Sequence, residues 1–85
     1  PPPPRIDPRS YWMLTGVVEG PDGTEAWMRN IRSNETFELL VGGKRSLGRE
    51  VELQLEWAEG DLAGFRVGDE TFRILIGSTL DRPLP

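Results

Sequence analysis

The chain has 85 residues, 14 of them acidic and 10 basic, a net charge of −4, and neither cysteine nor histidine. That length suits one domain, and the missing residue types exclude disulfides, thiol nucleophiles, histidine bases and the commonest metal ligands. The acidic balance opposes non-specific binding to nucleic acid, and neither a signal peptide nor an apolar run of membrane-spanning length is present.

The first segment, PPPPRIDPRS, has too few apolar side chains to build a core. Its four consecutive prolines favour extended polyproline II, at about 3.1 Å per residue. Residues 1–10 therefore read as a proline-rich linker that stands the folded part away from something else. Proline-rich segments also serve as ligands for proline-binding grooves.

From Tyr11 onward apolar residues recur every second position, the period of a strand with one wet side. YWMLTGVVE (11–19) is apolar on both faces, which suits a central strand or one with a partner. TEAWMRN (24–30) is weaker: Ala26 and Met28 can turn inward, and Trp27 then faces out. TFELLV (36–41) places Phe37, Leu39 and Val41 on one face. REVELQLEW (49–57) is the cleanest case, with Val51, Leu53, Leu55 and Trp57 alternating with Glu50, Glu52, Gln54 and Glu56. LAGFRV (62–67) and TFRILI (71–76) complete the set, with Ala63, Phe65 and Val67, then Phe72, Ile74 and Ile76, inward.

The breaks between these runs are turn chemistry. Gly20-Pro21-Asp22-Gly23 has proline preset for a turn and glycine ready for positive φ, and Val67-Gly68-Asp69-Glu70 closes a two-residue hairpin. Gly42 to Gly48 is a longer loop. Ten glycines at short spacings leave no room for a helix of two turns. Six strands predict an all-β fold, a small antiparallel sandwich of two three-stranded sheets or a partly open barrel. The sandwich spans residues 11–78, and residues 79–85 form a C-terminal tail.

Few motifs carry chemistry. Gly42-Gly43-Lys44-Arg45-Ser46 mimics a phosphate loop, but Glu38 stands where the first glycine belongs and Arg45 where Ser or Thr must come after Lys44. Glu50, Glu52 and Glu56 alternate with core residues and read as a solvated sheet face. No cofactor and no metal is expected, and an enzyme is the least expected class. Trp12 and Trp57 read as core bulk. Trp27, Leu40 and Leu75 fall on otherwise polar faces; together they would form an apolar patch of the kind that anchors a partner.

The order LTGVV, EAWMR, TFELLVGG, REVELQLEW, LAGFRVGDETFRILIG resembles the periplasmic homology region of the type II secretion inner-membrane linker protein, GspC, and the core domain of the type IV pilus lipoprotein PilP. The resemblance covers residues 11–77. This chain departs from it at Val41-Gly42-Gly43, where the family closes its third strand with an acidic residue; the acidic version comes later, as Val67-Gly68-Asp69. The resemblance implies a non-catalytic adaptor domain at the periplasmic face of the bacterial inner membrane. It implies an anchor upstream, the linker as a spacer, and a weak dock on the N-terminal domain of the outer-membrane secretin, with other inner-membrane components as further partners.

Physically, such a dock needs a free strand edge. The 11–19 strand is the expected one, with Met13, Thr15, Val17 and Val18 in the contact. Two other classes compete. One is a structural module whose edge pairs with its own copy. The other is a small barrel that stacks nucleic-acid bases on Trp12, Trp27 and Phe37 beside Arg29, Arg32, Arg45 and Arg73.

Overall fold

A computed structural model describes residues 8–48 and 51–85. One turn of 3-10 helix (Pro8–Tyr11) leads into seven strands. They are β1 (Trp12–Gly20), β2 (Gly23–Asn30), β3 (Thr36–Leu40), β4 (Lys44–Ser46), β5 (Glu52–Glu59), β6 (Leu62–Val67) and β7 (Glu70–Leu75). They build two antiparallel sheets, ordered β1-β2-β3 and β4-β5-β6-β7. The fold is all-β, an open sandwich and not a closed barrel. The strand beyond the expected six is β4, inside the segment read as a loop. Its three residues pair with Gln54, Leu53 and Glu52 of β5, so main-chain pairing forms there without any apolar alternation to announce it.

Local chemistry explains the hairpins. Glu59 pairs with Leu62 and Val67 with Glu70, leaving Gly60-Asp61 and Gly68-Asp69 as two-residue loops. The glycines have φ of 63° and 61°, the glycine-first pattern that suits a right-twisted hairpin. After β2 the chain turns around Asn30, whose Oδ1 accepts from the N–H groups of Arg32 and Ser33 at 2.9 and 3.0 Å.

The core lies between the sheets. Leu14, Met28, Leu53, Leu55, Phe65, Ile74 and Leu80 are its largest fully buried side chains. Trp12 meets Phe37 edge-on at 4.8 Å between ring centres, and Phe65 stacks on Phe72 at 6.1 Å. Among the described residues no polar side chain is buried, so no desolvated charge has to be offset.

Two inward assignments need correction. Trp57 is exposed, because the β5–β6 register shifts between Leu55 and Trp57. The bulge adds one residue and turns the later side chains of the strand to the opposite face. Val41 is exposed because β3 ends at Leu40. The terminal segments are more engaged than the sequence suggests. Pro8, Arg9 and Ser10, the end of the expected linker, are half-buried, and Arg9 lies 3.7 Å from Glu70; the rest of that linker lies outside the described residues.

The chain changes sheets at two corners. At the first, Gly43 N–H donates to Leu40 O at 2.7 Å, Gly42 N–H to Leu55 O at 2.7 Å, and Leu55 N–H to Gly43 O at 3.1 Å. At the second, beyond Ile76, Gly77 N–H donates to Leu14 O, Leu14 N–H to Ser78 O and Leu80 N–H to Trp12 O. This second segment covers the first half of the β1 edge, and Met13 bridges Thr79. The chain then returns, so that Leu84 N–H donates to Arg73 O at 2.9 Å along the outer edge of β7.

Both corners can be probed by single substitutions. A Cβ on Gly43 would stand 2.9 Å from Leu40 O and 3.1 Å from Leu39 Cδ1, so Gly43→Ala is expected to lower the unfolding free energy by about 1–3 kcal/mol in urea denaturation. Leu80→Ala opens a hole in the core and is expected to cost about 2–5 kcal/mol. The exposed Leu84 is the control: if Leu84→Ala costs as much, the return segment is not seated as described.

Candidate interaction surface

The outer face of the three-stranded sheet is set by strand register. Across β1, β2 and β3 it presents Met13–Arg29–Thr36, then Gly16–Trp27–Glu38, then Val18–Glu25–Leu40. A register shift between Leu14 and Gly16 makes this pattern possible. It lets Trp12 and Leu14 face the core before the bulge and Val18 face out after it. Thr15 sits in the bulge, and its hydroxyl donates to Trp27 O at 3.0 Å.

Val18, Trp27 and Leu40 are 40%, 43% and 41% exposed. Trp27 is a diagonal cross-strand neighbour of both other residues, close enough for an aromatic ring to reach them. Opposite Trp27 stands Gly16, where an added Cβ would only touch Trp27 Cβ, at 4.0 Å. No side chain therefore stands between the indole and the outer edge of β1. That edge is covered by the Gly77–Leu80 segment as far as Leu14, and beyond it no backbone group on the edge has a partner among the described residues. Ladder alternation leaves the main-chain groups of Val17 and Glu19 pointing outward.

The expected contact residues are only partly brought together. Val18, Trp27 and Leu40 share one face, with Thr15 beside them. The side chain of Val17 instead packs against the core. Met13 is half-buried under the covered part of the edge. Leu75 pairs with Leu62 in the other sheet and alternates with the buried Ile74, so it lies on the opposite outer face. The expected single patch of Trp27, Leu40 and Leu75 does not form.

The other constellations resolve simply. Trp12 and Phe37 are in the core, so of the three rings expected to stack bases only Trp27 is at the surface. Arg45 lies over Phe37, 4.4 Å from the ring centre, and Arg32 over Tyr11 at 4.9 Å. Glu52 pairs with Lys44 at 3.8 Å and Glu56 with Arg66 at 3.3 Å, both near the surface; Glu50 lies outside the described residues. Among the described residues no group of acidic side chains could hold a metal ion, and no helix is long and apolar enough to cross a membrane.

Trp57 is the surface residue that strand alternation hides. On the outer face of β5 its indole lies against Gly64 of β6, which is itself buried. The available signal was Gly64, since a glycine inside a strand often marks a close approach by another group. No protein-family model, curated protein or solved structure matches the chain.

A Cβ on Gly64 would fall within contact of the Trp57 ring atoms Nε1, Cε2 and Cδ1. Gly64→Ala is expected to destabilise by about 1–2 kcal/mol in the native background and by almost nothing once Trp57→Ala has removed the ring. A double-mutant cycle measures the difference, and additive effects would show that the indole does not rest on this glycine.

Proposed function

We propose that this chain is a non-catalytic docking module that receives a strand from another protein at the second half of the β1 edge. The observation that carries the reading is the outward backbone at Val17 and Glu19, which has no main-chain partner among the described residues, next to the exposed Val18, Trp27 and Leu40. An incoming strand would pair with the main-chain groups of Val17 and Glu19, and its side chains would choose the partner by packing on Val18 and, across Gly16, on Trp27. Such a contact is short and rimmed by Glu19, Glu25 and Glu38, so it is expected to be weak and transient.

The strand and glycine pattern that resembles the GspC and PilP domains gives this docking a context. The module would be a periplasmic adaptor of a bacterial secretion or pilus machine, with the N-terminal domain of the outer-membrane secretin as partner. Residues 1–10 would serve as the spacer from an inner-membrane anchor. The alternative is pairing of the same edge with a second copy of the chain.

Calorimetric titration of a secretin N-terminal domain against the native chain, Val18→Asp and Trp27→Ala tests it. Both side chains are at the surface, so each variant is expected to stay within about 0.5 kcal/mol of native stability and to bind at least about tenfold more weakly. Unchanged binding by both folded variants would remove this edge from the interface. A concentration-dependent dimer in sedimentation, lost in the same variants, would favour self-pairing.

A further inference from the structure

The open half of the β1 edge carries charge as well as unpaired backbone. On its outer face β1 shows Gly16, Val18 and Gly20 in turn. Beside Gly16 stands Trp27, with no side chain between its indole and the edge. At Gly20 the neighbour is a carboxylate: a Cβ there would stand 3.4 Å from Glu25 Oε1. Glu25 itself opposes Val18, so its side chain reaches one step along the sheet to lie over Gly20. Glu25 is half-buried and, like Glu19 and Glu38, is in no ion pair among the described residues. Asp22, in the turn between Gly20 and Gly23, adds a further acid at this end. Arg29, the basic residue of the outer-face rows, stands beyond Trp27 in the row of Met13.

Resting on the docking reading above, we infer the chemistry of the partner: its strand carries a lysine or arginine beside Gly20 and a large apolar residue beside Gly16. The register supplies the argument. Val17 and Glu19 turn their main-chain groups outward, so the incoming side chains on the outer face fall beside Gly16, Val18 and Gly20. The one beside Gly16 crosses a residue without a side chain and reaches the indole. The one beside Gly20 crosses another and meets the Glu25 carboxylate. A cation there gives an unpaired carboxylate a charge-assisted partner, and opposite charges on neighbouring strands attract. An acid at that position would face Glu25, Glu19 and Asp22 and be rejected. Side chains on one face recur every second residue, so the basic and apolar residues lie four apart in either strand direction.

The two glycines support this assignment. Neither Gly16 nor Gly20 has the positive φ that would call for glycine, and an added Cβ at either would meet its neighbours at ordinary contact distance. A glycine in a strand weakens it and often marks a close approach by a ligand or another backbone. On this edge both glycines leave room for side chains arriving from outside.

The test is a selection of displayed seven-residue strands on the full native chain, with threonine at the odd positions and every residue allowed at the second, fourth and sixth. Enriched strands are expected to carry Lys or Arg at one end of the varied face and a large apolar residue at the other, four positions away. Selection on Glu25→Lys should turn the basic preference to Asp or Glu. The winning strand, as a free peptide, is then titrated into the native chain and Glu25→Gln by amide NMR. Glu25→Gln keeps the shape of the side chain; it is expected to weaken binding about threefold and to remove the weakening by salt that the native chain shows. Strands that shift the Val17 and Glu19 amides but carry no basic residue, or that bind Glu25→Gln equally well, overturn the partner chemistry and leave the docking edge standing. If no strand shifts those two amides, the docking reading falls and this inference falls with it.

Discussion

A sandwich this small depends on the backbone hydrogen bonds that carry the chain from one sheet to the other. Each sheet is a plain meander with two edges. An edge is a row of main-chain donors and acceptors that must find protein, water or a partner. The corner at Gly42 and Gly43 extends the pairing of β5 as it leaves β3. The passage beyond Ile76 closes half of the β1 edge, buries Leu80 under it, and then doubles back to β7. The last residues thus cover one edge firmly and another lightly. Docking is proposed on the half of the β1 edge that they leave bare.

Two bulges decide which side chains meet water. The one at Thr15 turns Val18 outward and leaves Gly16 beside Trp27. The one between Leu55 and Trp57 turns a tryptophan out of the core and seats it on Gly64. Without either shift, strict alternation would send the residues beyond it to the other face. Both bulges therefore share one construction: an exposed indole and a glycine on the neighbouring strand that gives the ring room.

The β1 and β7 edges differ in what covers them. The β1 edge offers paired main-chain groups to a true strand. The β7 edge is met by the chain's own Leu84, whose N–H donates to Arg73 O between two prolines that have no N–H to give. The domain rests on packed apolar side chains and strand pairing. It makes little use of polar clusters, and its ion pairs are exposed ones of small energetic weight.

The sequence by itself determined the class of fold, the hairpin turn at Gly68, and most of the core, because period-two burial and positive-φ glycines are local properties. Leu53, Leu55, Phe65, Phe72 and Ile74 were readable for that reason, and so was the outward turn of Trp27. The bulges were not, since an extra residue leaves no mark on composition and shows only when a partner strand fixes the register. Nor could the chain announce that Leu80 would enter the core, that Leu75 would lie on the sheet opposite Trp27, or that β4 would pair at all. Those outcomes depend on contacts between residues far apart in the chain, and only tertiary packing, with the need to satisfy edge hydrogen bonds, could decide them.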